Sequence, residues 1–362
     1  MLNTKMIGNK IAEARKRINI SQAQLSQRLF ISSQAVGKWE RGESMPDITT
    51  FSRLAEILGV DLNYFSEHSQ SETTETVIDA SIVKQSDELQ SSSIKEEKKI
   101  KWDLSDGNWI EADFSGLKNL HEKFSSSNMQ RCFFIGSDLS GLLLKNNNVD
   151  GCDFSDSDIS NSQIQKSNLH KNLFKGCSLK EAEFSTSYIM GCNFSGANLT
   201  RVNFLKNNHV DTCDFSGSDI SSSHIQGSSL ANTIFKDCCL KETEFSRSSV
   251  MRCDFSDANF SGLAFKSGAF GKNTIVNVIW NHTSFTAMEI EDIVFEGRLE
   301  DCYFENCTFK RVTFQNAVLT NTFFKNNNLK RVKFVDCQAD QMTYEFLKSG
   351  SADLTGIKLL TP

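Results

Sequence analysis

From Lys101 onward a large apolar residue returns at every fifth position, as in Phe134, Leu139, Leu144, Val149, Phe154, Ile159, Ile164, Leu169 and Phe174. A period of five matches neither the 3.6-residue α-helix nor the two-residue strand, so no ordinary amphipathic element explains it. It belongs to a coil. Two residues before each large residue stands a small one, for example Cys152, Ser157, Ser162, Ser167, Asn172 and Cys177, and both sets are expected to point inward. If five residues form one side of a square and four sides one turn, the large residues stack along the axis and the small ones fill the space between them. A single coil would leave its apolar interior open above and below, so only stacking buries it. Asn119 is the one polar exception to the rhythm. The count slips by one residue between Leu205 and His209, and again after Phe295. CDFSDSDIS at 152–160 and CDFSGSDIS at 213–221 then read as a duplicated block of about three coils.

Composition agrees with a stacked interior. The chain has 28 phenylalanines against four tyrosines and only two prolines. Most of the phenylalanines fall on the large position, where each contributes about 1.5–3 kcal/mol when fully buried, which marks them as core and not as a base-stacking platform. Ten of the eleven cysteines occupy the small inward position, Cys239 being the exception; there a thiol acts as compact apolar filler. No CxxC pair occurs, so neither a metal site nor a disulfide is expected, and no cofactor is called for. His170, His209 and His224 lie at scattered outward positions, with no paired carboxylate or nucleophile expected around them, and no enzyme is anticipated. There is no run of eighteen apolar residues and no secretory leader pattern, so a cytoplasmic protein is the default expectation.

CDFSD, SDISN, CNFSG, ANLTR and ANFSG resemble the A(D/N)LXX motif of the pentapeptide-repeat family. That resemblance implies an all-β right-handed quadrilateral β-helix at 102–338, of about twelve coils and roughly 58 Å at the usual strand spacing. One side of the square collects Asp153, Asp156, Asp214, Asp254 and Asp257, an acidic solenoid face, although about half of these carboxylates sit where the repeat itself favours Asp or Asn.

The first 67 residues have helical periodicity instead. Ile7, Ile11 and Ala14 open a helix, and SQAQLSQRL starts a second with Ser21 and Gln24 as a capping box. SSQAVGKWERGE makes a third ended by Gly42, DITTFSRLAEILG a fourth after Pro46, and DLNYFSE a short fifth. Residues 68–101, rich in Ser, Thr, Glu and Lys, read as a flexible polar linker, and 339–362 as a C-terminal cap and dimerisation segment.

SQAQLSQRLFISSQAVGKWERGESMPD, with Arg15 upstream, resembles the small all-α helix-turn-helix domain of phage repressors and Cro, the XRE class. The resemblance implies that the third helix lies in the major groove of double-stranded DNA. Ser33, Gln34 and Lys38 would then read bases, Gln22 and Ser32 would bind phosphate, and Arg15 and Glu40 would form a structural ion pair. Gln suits adenine and Lys suits guanine, and residues 34 and 38, four apart, share one helix face. Gly37 loosens the middle of that helix by about 1 kcal/mol. Basic residues exceed acidic ones by only about two across 1–67, so one copy should hold DNA weakly and a homodimer is expected. Two functions follow from the resemblances. One is a transcriptional regulator whose solenoid serves dimerisation or protein docking. The other is an acidic β-helix that imitates DNA and binds a topoisomerase, as quinolone-resistance pentapeptide proteins do.

Overall fold

The computed structural model describes residues 4–29, 31–46, 48–60, 62–65, 103–121 and 124–360. The expected linker, 68–101, lies outside the described residues, as do Phe30 and Asp47 at two of the expected helix junctions. The chain divides into two compact units, Met1–Trp102 and Asp103–Pro362.

The first unit contains α1 (Thr4–Arg17), α2 (Gln22–Leu29), α3 (Ser33–Glu40), α4 (Ile48–Leu58) and a 3-10 turn, Leu62–Phe65. The starts of α2 and α3 have a chemical cause. Gln24 returns its Oε1 to the Ser21 N–H (2.8 Å) while Ser21 Oγ accepts from the Gln24 N–H (3.1 Å), a reciprocal box that satisfies two otherwise free donors of α2. Ser32 caps α3, its hydroxyl oxygen accepting from the Ala35 N–H. The chain leaves α3 through Gly42 at φ 74, which a side chain would strain. Ile7, Ile11, Ala14, Leu25, Leu29, Val36, Phe51, Leu54, Leu58 and Phe65 form the buried core. Ile57 of α4 is only half-buried.

The second unit is a parallel β-solenoid of about twelve coils. Strand partners lie one coil apart, as in Trp109↔Met129 and Leu144↔Ile164. Two of the four faces form an 11-stranded and a 10-stranded parallel sheet. The other two are ladders of isolated bridges such as Asp153↔Leu173 and Asp158↔Ser178, which run into a 6-stranded sheet near the C-terminal end. Phe114, Phe134, Phe154, Phe174, Phe194, Phe215, Phe235 and Phe255 stack along one face with ring centroids 4.6–5.1 Å apart and nearly parallel planes. The corners between faces require a left-handed residue, which explains why Asn, Asp and Gly crowd there.

The departures from the five-residue count are absorbed locally. Asn119 is not a gap in the core, because Leu120, one residue later, is buried in its place. At the first slip Lys206 and Asn207 are both left-handed (φ 59 and 63), and the strand register widens to His209↔Tyr188. At the second slip Leu299 takes the inward position four residues after Phe295, with the register irregularity at Gly297 (φ 81).

The two ends are closed differently. Trp109 donates its indole N–H to the Leu104 carbonyl (3.1 Å) and sets its ring edge-on to Phe114. At the other end α5 (Gln341–Ser349) is capped by Asp340, and Ile357–Leu359 pairs with Cys337–Ala339. Within this cap Leu347 is buried, whereas Met342 is 45% exposed, because it lies on the solvent side of α5.

Candidate nucleic-acid interface

The site is built outward from α3. Val36 and Trp39 turn into the core, which leaves Ser33, Gln34 and Lys38 exposed on the opposite side. None of these three makes a side-chain hydrogen bond or ion pair with another described residue, so their donors and acceptors are free for a ligand. The packing of α1 against α3 is close. A Cβ on Gly8 would stand 2.1 Å from the Trp39 carbonyl oxygen, so only glycine permits this approach.

Beneath α3, Arg15 grips Glu40 through two nitrogens, at 2.6 and 3.0 Å, and also donates to the Ile20 carbonyl (2.8 Å). Gln22 Nε2 adds a third bond to Glu40, at 2.8 Å. Burial alone would push the Glu40 carboxyl up, but the bonds from Arg15 and Gln22 outweigh it and hold the carboxyl below its ordinary value. The same contact raises the Arg15 guanidinium. Gln22 therefore ties the start of α2 to the end of α3 with one amide proton and keeps one more donor. Ser32 accepts at its oxygen, which leaves its hydroxyl proton available. A Cβ on Gly37 would lie 3.1 Å from the Arg41 guanidinium, so this glycine leaves room for that side chain against α3. The link from Gln22 to Glu40 spans two helices and was not among the roles read from the sequence; the amide at the first residue of the second helix was its only signal.

On the solenoid, Asp153, Asp214 and Asp254 share one bridge ladder, but Leu173, Asn193 and Ile234 alternate with them, and Leu173 and Ile234 are exposed. Each aspartate accepts from the N–H two residues on, at Ser155, Ser216 and Ser256, all at 2.9 Å, a local turn bond. Asp156 and Asp257 stand at the neighbouring left-handed corner (φ 58 and 62). The expectation that His170 lacks a carboxylate is corrected. Its Nδ1 lies 2.6 Å from Asp150 Oδ1, because residues twenty apart in sequence stack in register on adjacent coils. Ten cysteines are buried and Cys239 is partly exposed; all are free. Among the described residues no three metal-ligating side chains gather, and no helix is long and apolar enough to cross a membrane.

The helix-turn-helix family model matches residues 11–65, and the pentapeptide-repeat model matches 173–204 and 213–250. A model of the SV2A/B/C luminal domain matches 269–344. The SPbeta prophage-derived uncharacterized HTH-type transcriptional regulator YonR of Bacillus subtilis is 32% identical over 76 residues, which cover 20% of this chain and 70% of that protein. The chain belongs to the helix-turn-helix family. Repressor protein C2 of Salmonella phage P22 is also related to this helix-turn-helix chain, at 31% identity over 72 residues, 20% of the chain and 33% of the repressor. The chain thus spans a third of the phage repressor's length. Its solenoid matches the solved structure of QnrB1, a plasmid-mediated fluoroquinolone resistance protein, at 14% identity and TM-score 0.33, over 48% of this chain and 90% of that one.

Proposed function

We propose that the chain is a sequence-specific DNA-binding transcriptional regulator. The observation that carries this reading is the outward face of α3, where Gln34 and Lys38 stand exposed and unengaged while Arg15, Gln22 and Glu40 lock the helix from beneath. In this reading Ser33, Gln34 and Lys38 meet base edges in the major groove, and the free protons of Ser32 and Gln22 meet phosphate oxygens. The repressor and the regulator related to the first unit support it. The solenoid serves as a dimerisation or docking scaffold, with α5 and the exposed Met342 and Leu359 at the contact.

A DNA mimic that binds a topoisomerase needs an unbroken anionic face. Here Leu173, Asn193 and Ile234 interrupt the aspartate ladder and dilute its charge; this favours the regulator. Binding-site selection from a random duplex pool separates the two. A discrete enriched sequence, retained in a shift assay, supports regulation. Recovery of topoisomerase from lysate with no enriched sequence supports mimicry and overturns the proposal.

A further inference from the structure

The 11-stranded sheet of the solenoid ends at the strand Thr308–Lys310, and the coil that follows does not extend it. Residues 328–331 form no strand, and Leu329 donates its N–H to the Gly350 carbonyl (2.9 Å) behind α5. This one side of the next coil thereby leaves the sheet, while Phe323–Lys325 before it and Lys333–Val335 after it stay paired in register with the preceding coil. On this face the left-handed corner N–H donates to the following coil at Lys171, Arg252 and Asp292, at 2.9, 3.0 and 2.9 Å. The equivalent N–H of Arg311, at φ 52, meets no acceptor among the described residues. Phe309 is 9% exposed where Phe304 and Phe314 are at 1% and 0%, another sign that the stack opens here. The opening is a cleft of about 620 Å³, within the usual range for small-ligand sites.

Its walls are cationic. The segment FKRVTF at 309–314 is repeated one coil later as LKRVKF at 329–334, which places Lys310 and Arg311 on one wall and Arg331 and Lys333 on the other. Lys310 is paired with Glu289, and Arg311 with Glu291 and Asp292, all three acids lying on the preceding coil. Arg331 and Lys333 make no ion pair with any described residue. A free backbone N–H at a left-handed corner, flanked by an uncommitted guanidinium and ammonium, matches the donor set that phosphate groups take.

We propose that this cleft binds a small phosphorylated solute through its phosphate groups, with Arg331 giving a two-pronged contact, Lys333 a point charge and the Arg311 N–H an unpaired backbone donor. The site is separate from α3 and supplies the solenoid with a ligand of its own. The test is calorimetric titration of the full-length chain with inorganic pyrophosphate and, in a second arm, ADP. Saturable binding is expected for the wild type, weakened about tenfold or more in an Arg331→Gln, Lys333→Gln double variant. A control with Lys175→Gln and Lys236→Gln, on a different face, should bind like the wild type. Tighter binding of ADP than of pyrophosphate would identify a nucleotide, and equal binding would identify the phosphates alone as what is recognised; both support the site. If the double variant melts abnormally, Arg331→Lys replaces it and should also weaken binding, since it keeps the charge but loses the fork. Absence of saturable binding by the wild type, or equal affinity in wild type and variant, overturns the proposal.

Discussion

Glutamine 34 and glutamine 22 carry the same amide and do different work, because one faces solvent and the other reaches Glu40. In the proposed reading, replacing Gln34 by Ala removes a bidentate base contact without touching the core. Operator binding is expected to weaken by roughly 1–3 kcal/mol with the melting curve unchanged, as read by a shift assay beside circular dichroism. Glu40→Gln acts the other way. It leaves the Arg15 guanidinium without its counter-charge, and we expect the first unit to lose about 3 kcal/mol, the low end for a broken buried pair, since Arg15 keeps the Ile20 carbonyl. The Glu40 carboxyl is held below its ordinary 4.5 in the folded state. Its contribution is therefore present above that value and disappears as acid drives the pH down through the folded value. Denaturant melts of the wild type should show this loss, and Glu40→Gln melts should show a smaller one. The outward position of Gln34 was legible from helical spacing. The Gln22–Glu40 bond was not, because it joins residues 18 apart whose meeting depends on the angle between two helices.

Among elements, the five-residue side made the solenoid readable, since only an axis-facing position can repeat with that period. Phe215 shows what the period implies energetically. Its ring lies between Phe194 and Phe235, at 4.6 and 5.1 Å. Phe215→Asp therefore places a carboxylate between two rings, and a loss of at least about 4 kcal/mol is expected; thermal melting of the purified variant checks it. The slips were legible as breaks in a count, but their repair was not. Asn208 accepts from the Ser187 N–H (3.0 Å) and donates to the carbonyls of Phe184 and Leu205 (both 2.9 Å), whereas Asn207 is an exposed corner. Asn208→Ala should lower stability by about 2 kcal/mol. Deleting Asn207, which restores the regular register, should move the melting temperature by less than about 4 °C. The opening at Arg311 was invisible in the sequence for a related reason. Residues 309–314 and 329–334 keep the rhythm almost unchanged, and only the side at 328–331 leaves the sheet, with Leu329 bonded to Gly350 while Lys333 stays paired with Thr313.

For the whole molecule, the expected partition of labour is that α3 finds DNA and the solenoid supplies assembly. Deleting 339–362 removes α5 and the strand Ile357–Leu359, uncovering Phe323, whose ring meets Phe346 of α5, and Cys337, the strand partner of Ile357. We expect oligomer mass by light scattering and DNA affinity to fall together; a truncated chain that stays dimeric would assign the contact elsewhere. The stacking of in-register coils also has a mechanical meaning. Hydrogen bonds between coils run along the axis, and each coil rests only on its neighbours. Force applied between the two ends of the solenoid would load these bonds one coil at a time, so the rod would yield as a zipper and not as a block. Each event would release one coil, about 65–70 Å of extended chain, and a stretching trace would count the coils.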